Sequence, residues 1–320
     1  MKSKKSILQN IYVILISSLL TLFFLELFVR QVIDDGKRFE FEMTKYAKNL
    51  KNIDKSNTNI IGHLPNKKIK IMGVEVITDS DGFRINKIEK QHEKKIKVLM
   101  LGDSVTFGFG SSKTFSDYLN EEFKKYKFIN SGVGNTNTIM QIERFFIKLK
   151  KVNPDIIILN FFINDLEKVI YKKEKWYHNL YLYNLIMYNS KVIMIKLGFN
   201  KNNKKFYKET FRDNEIIEKT FKKINQLDVY AKKNNIIFFV NIIPDFRYLQ
   251  DYPFLEEEKI LINFFLNSNI KYVQGIKYLS KSKSENYWVS ETDPHPNEKG
   301  HKLIAGYLTE FLKKFYLKSN

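Results

Sequence analysis

The 320-residue chain contains no cysteine, and only 2 tryptophans and 6 prolines. Without a thiol there is no disulfide framework, no cysteine nucleophile, no Cys-ligated zinc site and no iron–sulfur cluster. The compartment stays open, because an exported protein can fold without disulfides. The 13 glycines follow no period, which excludes a fibre, and 43% hydrophobic content excludes a disordered tail. There is no H-E-x-x-H or other paired-histidine spacing, so a metal hydrolase is not expected. Gly132 and Gly134 do not make a G-x-G-x-x-G fingerprint, since position 137 is Asn. No cofactor and no metal are expected. What is abundant is lysine: 54 basic against 35 acidic residues give a net charge of +19. The lysines are scattered among Asn and Ile along the whole chain, which reads as solvated faces rather than a groove for nucleic acid. Attraction to an anionic membrane or an acidic glycan stays open.

After a basic tail, residues 1–6, the chain turns apolar from Ile7 to Val29. About 23 residues make a helix of roughly 34 Å, enough to cross a bilayer. The run is longer than a signal-peptide core and no A-x-A-like cleavage site follows, so an uncleaved, single-pass anchor is expected. Lys2, Lys4 and Lys5 favour an inside N-terminus and a soluble domain outside the cytoplasm, although Arg30, Lys37 and Arg38 flank the other end. Residues 30–95 read as a stalk or membrane-proximal helix, charged and mixed to about Asn52, followed by a small β-hairpin. Val74 and Val76 alternate there with polar neighbours, and Gly73 and Asp79-Ser80-Asp81-Gly82 supply turns.

From about residue 96 short apolar runs alternate with helical periodicity. Val98–Leu101, a run starting at Phe128, Ile156–Phe162, Ile236–Ile243 and a weaker Ile270–Val273 read as strands. Continuous rather than alternating apolarity predicts parallel strands covered on both faces. Such a doubly wound α/β domain binds its ligands at the carboxyl ends of its strands.

Four segments stand at those ends. Gly102-Asp103-Ser104 follows the first strand, where a serine can be exposed as a nucleophile, though it is not the G-x-S-x-G elbow. Taken alone, the segment leaves nucleophile and plain turn equally open. Asn130 to Asn135 follows the second strand, in a loop that can turn backbone N–H groups toward an anion or serve as a simple connection. Asn164-Asp165 ends the third strand, where Asn164 can donate to a developing oxyanion or cap a helix. Asp293-Pro294-His295-Pro296 precedes the last helix. A positioned imidazole there suits a general base, with Asp293 near enough to orient it. His301, on the helix itself, reads as structural.

In this order the four segments resemble the SGNH, or GDSL-type, hydrolases over about residues 96–317. The upstream Thr78 to Arg84 stretch resembles a lead-in of membrane-anchored envelope members. The resemblance implies a three-layer α/β/α, flavodoxin-like domain with a parallel central sheet over residues 96–320, preceded by one transmembrane helix. It implies Ser104 as nucleophile, His295 as base and Asp293 as its partner. The implied oxyanion hole combines the Ser104 N–H, a second-block N–H (Asn135, or less readily Gly134) and the Asn164 side chain. Three positions depart from the pattern. Asn135 stands where a glycine is usual, Phe162 replaces the glycine of G-x-N-D, and Asp293 lies two rather than three residues before the histidine, with Thr292 at the usual place.

The expected activity is that of a membrane-anchored serine esterase acting on O-acyl groups of envelope glycans or another small ester. An O-acyltransferase using the same acyl-serine and a non-catalytic glycan-binding or assembly protein are the alternatives. No protein partner can be named from the sequence. An insertion at about residues 171–211, rich in Tyr and Lys, reads as an extra helix packing its aromatics inward, or as a lid or glycan-stacking surface.

Overall fold

The computed structural model describes residues 4–54, 56–86, 96–169 and 175–316. Parts of the basic tail, the connection before residue 96 and the start of the insertion lie outside these residues. Helix α1, Lys4–Phe28, runs on through a π-helical turn, Val29–Ile33. Its stretch Ser6–Ile33 is long and apolar enough to cross a membrane, with mean hydropathy 2.3 and none of the apolar window buried against protein.

The stretch read as a stalk folds onto the rest of the protein. Helix α2, Phe39–Asn49, buries Phe41, Glu42 and Tyr46. Strand β1, Lys51–Ile53, pairs with β2, Ile61–His63. The expected hairpin is β3, Lys68–Ile71, and β4, Val74–Thr78, joined through Met72 and Gly73 at φ 50° and 76°. Two left-handed residues are what a two-residue hairpin turn requires. With β5, Arg84–Ile85, the hairpin does not stand apart: it extends the central sheet by three antiparallel strands.

The parallel part of that sheet consists of β6, Ile96–Leu101; β7, Tyr126–Asn130; β8, Ile156–Phe162; β9, Ile237–Ile243; and β10, Lys271–Gln274. The order across the whole sheet is β10-β9-β8-β6-β7-β5-β4-β3. The parallel strands therefore run 2-1-3-4-5, the flavodoxin-like order. Strand β8 is buried at all seven positions, as continuous apolarity predicts.

Between the strands lie α3, Ser104–Phe107; α4, Phe115–Glu122; α5, Thr138–Arg144; α6, Tyr181–Lys196; α7, Asn203–Thr210; α8, Asn214–Lys233; and α9, Leu255–Asn267. The short α10, Ile276–Leu279, precedes the hairpin β11, Trp288–Ser290, and β12, Asp293–Pro296, and then the closing helix α11, Glu298–Phe315. Helix α4 packs on α11 and α5 on α8. Right-handed crossovers put these pairs on opposite faces of the sheet and make three layers. A buried polar chain ties the layers together. Asn160 Nδ2 donates to the Leu101 carbonyl at 2.9 Å, Asn241 Nδ2 to Asn160 Oδ1 at 2.9 Å, and the Tyr307 hydroxyl to Asn241 Oδ1 at 2.9 Å.

Candidate active site

The order of strands reverses between β6 and β8, and a crevice opens at the carboxyl ends of strands at such a point. Ser104 stands there, as the first residue of α3. Asp103 caps that helix, its carboxylate accepting the Val105 N–H at 2.9 Å, which fixes the turn that carries the serine. Gly102 is required, because a Cβ would lie 2.0 Å from Thr106 Oγ1. Asp103 is buried, and burial above all raises its carboxyl from the ordinary range, against its hydrogen bond from Val105 and the charge of His295. Asp165 is likewise buried and raised well above that range, by burial and by Asp103. It accepts from Thr138 Oγ1, Gln141 Nε2 and the Phe162 N–H, so it locks the turn after β8.

His295 arrives from the hairpin β11–β12. Its Nε2 lies 2.9 Å from Ser104 Oγ and its Nδ1 2.5 Å from Asp293 Oδ1. The two-residue spacing works because Asp293 and His295 lie on a strand, where residues i and i+2 share a face. Thr292 faces Ser290 instead, hydroxyl to hydroxyl at 3.3 Å. Asn297 locks the hairpin: Oδ1 caps α11 at the Gly300 N–H, and Nδ2 donates to the Trp288 carbonyl at 2.9 Å. Burial lowers the proton affinity of the His295 imidazole. The Asp293 charge and hydrogen bond, with Asp103 behind them, outweigh it and leave the ring above its usual 6.5. Asp293 is 1% exposed, and its Oδ2 has no partner among the described residues.

Asn164 follows β8, and Asn135 follows β7, the two strands that flank β6. Asn135 takes the left-handed conformation, φ 56°, the role a glycine would fill there, and Asn tolerates it. The Gly134 N–H donates to the Tyr46 hydroxyl at 2.8 Å, so it is engaged elsewhere. The Ser104 N–H belongs to the first turn of its helix, where no intrahelical acceptor exists. The Asn164 side chain makes no hydrogen bond among the described residues, and its Oδ1 is buried without a partner. Phe162, at 8% exposure, fills the end of β8. Gly132 presses on α3, where a Cβ would come within 2.3 Å of the Phe107 nitrogen.

Several residues around the site carry no motif. Phe39, the first residue of α2, stacks on the His295 ring at 6.1 Å between centroids, and Phe109 packs on it at 5.3 Å. The Tyr46 hydroxyl also meets His63 Nε2 at 2.8 Å, linking α2, β2 and the Gly134 loop. Burial, followed by the charge of Arg144, pushes His63 well below 6.5, so it is neutral and accepts the tyrosine proton. Buried Arg84 gathers the carbonyls of Phe107, Gly108 and Ser111 at 2.8, 2.5 and 2.5 Å, holding the loop after the serine. Arg144 does the same for the Ser131 carbonyl at 2.7 Å. His301 is buried against Phe115 and accepts the Phe115 N–H on Nδ1 at 3.3 Å.

No known protein-family profile matches the chain, and no curated protein matches it in sequence. Solved structures similar to it include a protein assigned to the G-D-S-L lipolytic family from Desulfitobacterium hafniense DCB-2. That match has 17% identity and a TM-score of 0.40, covering 68% of this chain and 99% of the other. An acetyl xylan esterase, AlAXEase, matches at 16% identity and TM-score 0.45, over 68% of this chain and 100% of its own. A variant of an acetyl-xylooligosaccharide esterase from Geobacillus stearmophilus matches at 13% identity and TM-score 0.44, over 72% and 98%.

Proposed function

We propose that the chain is an SGNH-type serine esterase, held to a membrane by α1 with its catalytic domain outside the cytoplasm, that removes O-acyl groups from cell-envelope glycans. The observation that carries the reaction class is the unbroken contact Ser104 Oγ–His295 Nε2, His295 Nδ1–Asp293 Oδ1, at 2.9 and 2.5 Å. The anchor reading rests on the apolar length of α1. The glycan reading rests on that anchor and on fold-level analogy.

In this reading Ser104 Oγ attacks the acyl carbonyl carbon while His295 Nε2 takes the hydroxyl proton. Asp293 holds the imidazole in the tautomer that leaves Nε2 free to accept, and stabilises the imidazolium that forms. The N–H groups of Ser104 and Asn135 and the Asn164 amide receive the oxyanion. His295 then returns its proton to the departing alcohol oxygen as the carbon–oxygen bond breaks, leaving an acyl-serine. A water, deprotonated by the same imidazole, attacks the acyl-serine and releases the carboxylic acid and free Ser104.

Phe39 and Phe109 cover His295 and shed water from it, which supports a second outcome for the same acyl-serine: transfer to a sugar hydroxyl. Turnover of an acetylated sugar with and without a second sugar as acceptor separates the two. The reaction class is tested with a fluorophosphonate probe, followed by mass spectrometry of the labelled peptide. Labelling at Ser104 that disappears in His295→Ala is the expected result. A folded protein that stays unlabelled overturns the esterase reading and favours a glycan-binding protein on the same fold.

A further inference from the structure

The insertion forms helices that pack part of their aromatics inward, as expected: Tyr207 and Phe211 join the core, and Tyr181 stacks on the buried Phe41 at 4.7 Å between centroids. Its aliphatic residues on α6 behave differently. Helix α6 buries none of its 16 residues, although most of them are apolar. Its two faces differ. Tyr181, Leu185, Tyr188, Val192 and Ile195 are half-buried, and the helix lies against α1 and α2. The other face presents Ile186, Met187, Ile193, Met194 and, just past the helix, Leu197, at spacings of seven and four that keep them on one side. Leu197 is 64% exposed, Phe199 72% and, before the helix, Trp176 77%. An apolar stripe this long, open to water, marks a surface that is covered in use.

Two observations say by what. First, α6 starts on α1 itself. Glu26, within the apolar span, accepts the first-turn N–H groups of Tyr181 and Leu182 at 3.0 and 2.8 Å. Arg30 reaches the Asn179 carbonyl at 2.9 Å and lies over the Tyr181 ring. The N-terminus of α6 is therefore fixed about one turn before the end of the apolar run of α1, the depth at which a crossing helix leaves hydrocarbon for headgroups. Second, residues 175–208 contain 7 lysines and no acidic residue. Exposed apolar side chains with Trp, lined by lysines and lacking acids, are the composition of a helix that lies in a bilayer interface against anionic lipid.

We propose that the outer face of α6 and the Leu197–Phe199 turn after it lie in the surface of the bilayer that α1 crosses, so that the catalytic domain rests on the membrane at two points. This rests on the reading of α1 as a membrane span. The inner face of the same helix packs on α2, whose first residue, Phe39, stacks on the His295 ring. Helix α6 is thus joined through α2 to the His295–Asp293 pair, and its contact with lipid sets the height of that pair above the membrane.

Because the chain has no cysteine, every introduced one is a unique label site. The full chain, reconstituted in vesicles of phosphatidylethanolamine and phosphatidylglycerol, is labelled with an environment-sensitive fluorophore at Ile193→Cys, at Leu197→Cys, at Leu15→Cys within α1 and at Val229→Cys on α8. Retained reaction of Ser104 with a fluorophosphonate shows that each variant is folded. Nitroxide carried on the lipid is expected to quench most of the fluorescence at 193, 197 and 15, and aqueous iodide only that at 229. Quenching of 193 and 197 by iodide while 15 responds to lipid overturns the proposal and leaves the anchor standing. Loss of lipid quenching at 15 as well overturns the anchor, and the proposal with it. Shielding of 193 and 197 from both quenchers shows the face covered by a second copy of the chain, which also overturns it.

Discussion

Replacing Tyr46 with phenylalanine removes one oxygen and tests whether a residue far from the motifs shapes the oxyanion site. The tyrosine is fully buried, and its hydroxyl makes two contacts of 2.8 Å, giving its proton to His63 Nε2 and accepting the Gly134 N–H. The ring would keep its packing on Phe107 and Phe109. The change therefore leaves two buried polar groups unpaired, each costing about 1–3 kcal/mol, and the glycine-containing loop recovers part of that by shifting. A net cost of about 2–4 kcal/mol lowers Tm by roughly 4–16 °C for a domain of this size. The shift that re-pairs Gly134 displaces its neighbour Asn135. Turnover should then fall toward, but not beyond, the roughly 10²–10³-fold that loss of one oxyanion donor costs, with KM nearly unchanged. Thermal melting of the detergent-solubilised chain and steady-state hydrolysis of a small aryl acetate read both quantities. Wild-type Tm together with wild-type kcat would refute the reasoning, because the hydroxyl would then hold nothing.

Other expectations follow from the same geometry. Asn164→Ala should lower kcat by an amount equivalent to about 2.7–4 kcal/mol with little change in KM; a loss below tenfold makes Asn164 a structural cap. The base must be neutral to accept a proton, and the His295 pKa is raised, so the acid limb of kcat/KM should inflect above pH 6.5. Asp293→Asn should move that inflection down while sharply reducing the rate, and an unmoved inflection would separate Asp293 from the base. The raised His295 pKa adds stability below pH 6.5 that is lost as pH climbs through the folded value. His301 has the opposite sign: burial, with the charges of Arg84 and His295 behind it, brings it down to about 3. Its contribution is therefore complete above 6.5 and lost as pH falls. The stability deficit of His301→Gln should shrink by about 2 kcal/mol between pH 7.5 and 5, measured by urea unfolding at both. Arg84→Met leaves three loop carbonyls without their donor and should destabilise by more than about 3 kcal/mol, visible as a lowered Tm.

The parts of the site that were legible in the sequence are those set by local chain geometry. Ser104, Asn135 and Asn164 each follow a parallel strand with an apolar run, short in β7 and continuous in β8, and parallel strands bring their carboxyl ends to one edge of the sheet. Asp293 and His295 were legible as a pair for a similar reason, since two prolines hold them extended. What stayed hidden depends on contacts across long stretches of chain. Tyr46 meets Gly134 over a separation of 88 residues, and no spacing announces that. Helix α2 read as part of a stalk or a membrane-proximal helix because its charges are plentiful, with no sign that it packs on the domain. Yet Glu42 is 1% exposed, and its carboxylate accepts the Met72 N–H at 2.7 Å and pairs with Lys45 at 2.6 Å. A buried, paired charge looks in sequence like a surface one. The insertion was legible only in part: Tyr207 and Phe211 do join the core, whereas the aliphatic outer face of α6 is left open.

Because Phe39 lies on the His295 ring and Tyr46 holds the Gly134 loop, the site does not begin at its first motif. Its working unit starts at α2, and the five residues Asp34 to Arg38 are the last place where the chain can be severed without dismantling the site. At Gly36, with φ 73°, a Cβ would meet nothing within 4 Å, so this link is open and sterically unencumbered. A protease cutting there would separate a domain with its site intact from α1, leaving α6, still hydrogen-bonded to Glu26 and Arg30, as its remaining tie to the membrane. A cut a few turns later, beyond Leu50, would release a domain that keeps Ser104, His295, Asp293 and Phe109 but loses Phe39 from one side of the imidazole and Tyr46 from the Gly134 loop. Any soluble version made for the bench faces the same boundary.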